Sequence, residues 1–267
     1  MTQQEHLERM RAVEERYNSA CHSVEKHRRG TLALIKDYEQ RVLQEFDSRQ
    51  QGNAPSGVDH WTQFYHHDRH KTSGVTGVLA RQYLRKFLEA EQGHLCCYCQ
   101  RPLFNIANAK PIEHILPRSA FVQYSFHFWN LAVACVDCNL LKSDDVWLDP
   151  TSPVLRHYPQ PDSFTDMYHP RFHLFADHVK FFRIQTNDLI ISLYVGITAQ
   201  GRALCNRLLR QVAAKEIVTY SNPVLKQSLN TINSTGEDLG EEALTAVEAF
   251  QSALAKKTLE LVQIGQP

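Results

Sequence analysis

Two Cys-x-x-Cys pairs, Cys96 with Cys99 and Cys135 with Cys138, enclose a Glu113-His114 dipeptide and Asn130. Two residues between cysteines let a chain turn around one ion. Together the pairs make a closed four-sulfur site, the usual form of structural zinc. Four thiolates leave no open coordination position, so such a metal holds the fold and does no chemistry. Its binding would add on the order of 10 kcal/mol to folding. The alternative is a set of reduced core cysteines or a redox pair. Cys97, inside the first pair, is most simply a spectator thiol.

The groups between the pairs need their own explanation. The run Pro111-Ile-Glu113-His114-Ile-Leu-Pro117 is followed by Trp129-Asn130-Leu131 and by Cys138-Asn139-Leu-Leu-Lys142. A histidine ending an apolar strand can be a satisfied core residue. A glutamate directly before it and a proline closing the segment favour a site.

In that order of motifs, residues 94–143 resemble the HNH nucleases, in the variety whose ββα-metal core is stapled by four cysteines. The resemblance implies an endonuclease that hydrolyses phosphodiester bonds, of DNA before RNA. It makes His114 the base that activates water, a role suited to an imidazole with an unperturbed pKa near 6.5. Glu113 and Asn139 become oxygen ligands of a catalytic Mg²⁺ or Mn²⁺. Asn130 fixes the loop between the strands so that the imidazole points correctly. Arg118 and Lys142 become phosphate contacts, and Asp137 could assist the ion. The chain departs from the commonest pattern twice, with Glu for Asp at 113 and Asn for His at 139.

The elements that must position these groups follow from periodicity. One strand is expected at about 112–115, a second at 131–134, and a short helix from near Val136 carrying Asn139 and Lys142. Residues 119–129 are aromatic (Phe121, Tyr124, Phe126, Phe128, Trp129). Aromatics there could stack on bases, but more often cover a core this small. His127 among them is a minor candidate ligand or phosphate contact.

Before the core, apolar positions at Leu7, Met10, Val13, Tyr17, Ala20 and Val24, then Leu32, Ile35, Tyr38, Val42 and Phe46, step by threes and fours. This predicts two amphipathic helices broken near Arg29-Gly30, packed on the core or docked to a partner. Residues 51–59 are a loop. His60, His66, His67 and His70 fall in a polar surface loop with no cysteine to make them a metal site. A helix over 77–92 buries Leu79, Tyr83, Leu84, Phe87 and Leu88 and turns Arg81, Arg85 and Lys86 outward.

After the core, strands at 178–184 and 189–195 form a hairpin around Thr186-Asn187-Asp188. A helix opens at Thr198-Ala-Gln-Gly201-Arg202 and runs to about Ala214, and a last amphipathic helix covers 241–262. This tail is similar to that of bacterial HNH proteins, among them the nuclease subunits of Septu-type and retron-linked phage-defence systems, which act beside an ATPase. The similarity implies an ATPase partner docking on the terminal helices, and an enzyme that could stay silent until it docks.

Composition sets the outer bounds. Lys plus Arg and Asp plus Glu both number 29 in 267 residues, so no global field draws the chain to a polyanion. Residues 94–143 carry Arg101, Lys110, Arg118 and Lys142 against Glu113 and Asp137, a small local surplus. No apolar run reaches the length of a membrane helix, and seven cysteines, four in zinc spacing, call for a reducing, cytoplasmic setting. The expected fold is α+β and mostly helical: 1–59 helical, 60–93 a loop and helix, 94–148 the core, and 149–267 a hairpin and helices. The competing functional class is a zinc-stapled nucleic-acid-binding or adaptor module without catalysis.

Overall fold

The computed structural model describes residues 3–103, 110–148, 155–185 and 190–220. About half of these are helical, and two small antiparallel sheets complete an α+β architecture. No helix among the described residues is long and apolar enough to cross a membrane. The chain divides into two units, residues 1–164 with 169–172, and residues 165–168 with 173–267.

The first unit begins with α1 (Gln3–Ala20) and α2 (Glu25–Gln50). The break between them lies at residues 21–24, not at Arg29-Gly30 as the sequence suggested. A buried histidine makes the turn. His22 Nδ1 accepts from the Val24 amide at 3.0 Å, and its carbonyl accepts from Arg28 Nε at 3.2 Å. Its Nε2–H donates to the Gly74 carbonyl at 3.1 Å. Gly30 sits inside α2 for reasons of space, because a Cβ there would lie 2.9 Å from Val75 Cγ2.

Along α2 the buried face is Thr31, Leu34, Tyr38, Val42 and Phe46, so the stripe is rotated at its start from the Leu32 and Ile35 positions. Within the unit it meets the aromatic segment, with Tyr38 against Phe64 and Phe126. From α1, Tyr17 packs on Phe87 and Phe128.

The histidine-rich stretch is not a surface loop throughout. It folds as α3 (His60–His66), capped by Asp59, whose carboxylate accepts from the Thr62 amide at 3.0 Å. Trp61 and Phe64, three apart, are its buried face. The run of histidines hid that two-residue apolar signal. Next, α4 (Gly77–Glu91) is capped by Thr76 and buries Ala80, Leu84 and Leu88 at steps of four. Leu79, Tyr83 and Phe87 are half-buried.

The core strands are β1 (Ile112–His114) and β2 (Leu131–Val133), antiparallel with Ile112 opposite Val133 and His114 opposite Leu131. They lead into α5 (Val136–Lys142). Between the strands, Phe121, Tyr124, Phe126 and Trp129 are buried, as cover for the core.

The second unit holds α6 (Phe175–His178) and the hairpin of β3 (Val179–Gln185) with β4 (Ile190–Gly196). α7 (Ala199–Leu204) starts on Thr198, whose hydroxyl accepts from the Gly201 amide at 3.1 Å. A π-turn over residues 205–209 joins it to α8 (Arg210–Tyr220), so the helical run outlasts the expected end at Ala214. Arg183 of β3 pairs with the buried Glu216 at 3.0 Å. The turn at 186–188 and the helix expected over 241–262 lie outside the described residues.

The α3–α4 crossing leaves no room at Gly77, where a Cβ would sit 1.6 Å from the Phe64 carbonyl oxygen. Gly77→Ala is therefore expected to cost about 2 kcal/mol or more, because backbone must move. A urea titration should show a lowered midpoint, while substitution at the open Gly52 position would not report on this contact.

Candidate functional site

The four cysteines converge. The ligand sulfurs of Cys96, Cys99, Cys135 and Cys138 all lie within 4.8 Å of one another and all four residues are buried. None is in a disulfide.

The first pair sits on a tight turn. Gln100 adopts a left-handed φ of 57° and its amide donates to the Cys96 carbonyl at 3.1 Å. The Cys97 amide donates to the Val133 carbonyl at 3.1 Å, tying this turn to β2. The second pair opens α5, where Cys135 is the N-cap and its sulfur accepts from the Cys138 amide at 3.5 Å. The Cys135 amide in turn donates to Cys96 Sγ at 3.2 Å.

Cys99 and Cys135 sulfurs are 3.8 Å apart. A tetrahedral zinc with bonds of about 2.3 Å would space its sulfurs by about 3.8 Å. Burial, then hydrogen bonding from Cys135, pushes the Cys96 and Cys99 thiols above the ordinary range. A divalent cation would reverse that balance, so the donor set fits zinc in type, number and spacing.

Arg101 supplies positive charge beside the cluster. Its Nε lies 3.2 Å from Cys99 Sγ, and one terminal nitrogen 3.3 Å from Cys135 Sγ and 2.9 Å from the Asp137 carboxylate. Asp137 is thus paired with Arg101, and it does not line the cleft that holds His114.

That cleft, of about 300 Å³, is lined by Trp61, Glu113, His114, Arg118, Asn139 and Asp144 among others. It brings together residues from β1 and α5. His114 Nε2–H donates to the Ser125 carbonyl at 3.0 Å. A carbonyl can only accept, so Nδ1 is left as the proton-accepting nitrogen. The ring meets Trp61 edge-on, with centroids 4.7 Å apart. Burial, with Arg118 second, pushes its pKa down to about 3, so the imidazole is neutral at physiological pH.

Glu113 is 4 % exposed and its Oε1 takes two donors, Lys142 Nζ at 2.7 Å and the Tyr98 hydroxyl at 3.2 Å. Lys142, expected at a phosphate, is 1 % exposed. Besides Glu113 it donates to the His114 carbonyl at 3.2 Å. Here it is the buried counter-ion of Glu113, and a buried pair of this kind is costly to break from one side. Arg118 remains half-buried on the cleft and pairs with Asp59.

Asn130 is wholly buried and lies outside the cleft lining. Its Oδ1 accepts from the Leu116 amide at 2.7 Å, and its Nδ2 donates to the Leu116 and Tyr124 carbonyls at 3.0 and 3.1 Å. The amide therefore ties both ends of the connection between β1 and β2.

A polar chain backs it. His169 Nδ1 accepts from the Arg171 amide at 3.3 Å, its Nε2 meets the Tyr158 hydroxyl at 2.7 Å, and that hydroxyl donates to Asn130 Oδ1 at 3.2 Å. His127 instead stacks on Tyr158, with centroids 4.4 Å apart, and lines a different cleft.

Sequence reasoning missed Trp61, Tyr98 and Asp144 at this site. The Trp61-x-x-Phe64 spacing could have flagged the first. The others depend on how α5 lies across β1, which no local pattern encodes.

No family model, curated protein or solved structure matches this chain.

Two outcomes follow. Purified protein should carry about one zinc per chain, and Cys138→Ser should lose it together with a large drop in thermal midpoint, read by metal analysis and calorimetry. Asn130→Ala leaves several buried groups without partners, and should cost about 3 kcal/mol in urea unfolding with zinc retained.

Proposed function

We propose that this protein is a metal-dependent endonuclease of the HNH type, acting on DNA. The observation that carries this reading is the single cleft shared by Glu113, His114 and Asn139, next to strands and a helix stapled by the four-cysteine cluster. His114, neutral and with its Nε2 proton held by the Ser125 carbonyl, accepts a proton from water at Nδ1 as the water attacks phosphorus. Asn130 keeps the loop that carries Ser125 in place and so orients the imidazole. Arg118, on the cleft, meets the phosphate once it parts from Asp59.

The cleft offers a carboxylate and an amide oxygen, with Asp144 beside them. This set fits a hard divalent ion in donor type, with the Lys142 ammonium as the competing cation on Glu113. Held by Glu113 and Asn139, Mg²⁺ or Mn²⁺ would supply charge stabilisation to the phosphate and leaving oxygens. The proposal extends to an ATPase subunit as the partner that selects the target, in phage defence, on the strength of the core and tail resemblances alone.

One observation favours a second reading. The buried Glu113–Lys142 pair already neutralises the carboxylate, as suits a nucleic-acid-binding module that needs no ion there.

The deciding measurement is plasmid cleavage by wild type and His114→Ala, with Mg²⁺, Mn²⁺ or EDTA, alongside zinc content. Metal-dependent cutting that falls a hundredfold or so in the variant, with zinc unchanged, supports the nuclease. Equal cutting by both removes His114 as the base. DNA binding without cutting by either favours the binding module.

A further inference from the structure

Arg81 and Arg85 lie one turn apart on α4, about 6 Å along its axis. The Arg81 guanidinium folds back over α3, 4.6 Å from the ring centre of Tyr65 and 5.6 Å from that of Trp61. Trp61 is also a wall of the His114 cleft, where it meets the imidazole edge-on. One indole therefore joins the cleft to the arginines of α4. Lys86 is not part of this row, because its ammonium turns to Tyr83.

The row is uncompensated. Neither Arg81 nor Arg85 has a hydrogen-bond or ion-pair partner for its guanidinium among the described residues. Burial lowers the pKa of Arg81, the Tyr65 phenol opposes this, and Arg85 and Arg118 lower it further. Both of those arginines are thus close enough to repel it, one from its own helix and one from the cleft. Of the three, Arg118 is the one paired with a carboxylate among the described residues, that of Asp59. The same carboxylate accepts from the Thr62 amide at 3.0 Å and the Thr62 hydroxyl at 2.8 Å. It is shared between capping α3 and holding Arg118.

Three guanidinium groups gathered beside one carboxylate select an anion with several charges in a row. A small molecule with a single phosphate would engage one arginine and leave the others repelling. A nucleic-acid backbone places a phosphate opposite each. The aromatic rings do not serve as base platforms, since Arg81 lies on Tyr65 and Trp61 is buried. Contact is then to phosphate alone, which suits a duplex whose bases stay stacked and carries no sequence information.

We propose that Arg81, Arg85 and Arg118 form a phosphate track that leads duplex DNA from α4 into the His114 cleft. The stack on α3 holds the planar fork of Arg81 in place and leaves its N–H edges to donate. Asp59 competes with phosphate for Arg118. The track rests on the nucleic-acid reading of the His114 cleft, and not on catalysis there.

The test is fluorescence anisotropy of the zinc-loaded full chain on a labelled duplex of about 30 base pairs, between about 50 and 200 mM salt. Neither Mg²⁺ nor Mn²⁺ is added. Arg81→Gln with Arg85→Gln is expected to weaken binding about tenfold or more and to reduce the salt slope by about 2. The same charge loss on α1, Arg9→Gln with Arg11→Gln, should change affinity by less than about twofold. Asp59→Asn keeps a side-chain oxygen for the α3 cap and removes the competing charge. It should tighten binding several-fold, a gain that a misfolded variant cannot produce. A wild type that does not bind the duplex at about 50 mM salt would overturn the proposal. So would an α4 pair that loses no more affinity than the α1 pair, or an Asp59→Asn protein that binds no better than wild type. A single strand of the same length that binds more tightly than the duplex would overturn it as well. Binding through the arginines without plasmid cleavage would leave the track standing and remove the nuclease. Cleavage that needs His114 but neither Arg81 nor Arg85 would do the reverse.

Discussion

Four buried sulfurs within one small volume set the terms for the first unit. Thiols packed this closely cannot all ionise without a cation, and the amides of Cys135 and Cys138 point at the sulfurs of Cys96 and Cys135. Around a divalent ion the same contacts become favourable, and the turn at residues 96–99, β2 and the start of α5 are fastened at one point. β1 then has a fixed sheet edge, and α5 has a fixed origin from which Asn139 and Lys142 project. Arg101 completes the charge balance from outside.

From that point outward, placement of the polar groups depends on side chains that reach across long sequence separations. Glu113 and Lys142 neutralise one another with little of either exposed. Asn130 serves a loop whose own amides lack strand partners, and Tyr158 with His169 backs it up. Arg171 is fully engaged with a carbonyl and two aromatic rings, and its burial lowers its pKa to about 10. The imidazole that faces the cleft is thus held by a scaffold of satisfied polar groups, which is the condition for a fixed geometry at a reactive centre.

What could be read in advance followed the range of the interaction. Cys-x-x-Cys spacing is local, and the residues at both ends of the core were legible, as were β1, β2, α5 and the C-terminal hairpin. The α1–α2 break was misplaced because Gly30 looks like a helix breaker, while its role is to admit Val75. The real breaker, His22, works through Gly74, which is distant in sequence. Likewise α3 was lost among histidines because only Trp61 and Phe64 face inward. Lys142 reads as a surface cation in any local window. Its burial against Glu113 appears only once α5 is laid over β1.

The order of the chain carries a further meaning. Residues 169–172 belong to the first unit, whereas 165–168 and everything from 173 belong to the second. A division after Phe164 would take away His169 and Arg171, leaving the Tyr158 hydroxyl, the Leu131 carbonyl and the faces of Phe128 and Trp129 uncovered. Residues of the two units therefore alternate along the sequence, and no single cut separates them. During synthesis the N-terminal portion cannot finish packing until Phe172 has left the ribosome, so its maturation is tied to translation of a segment that already borders the next unit.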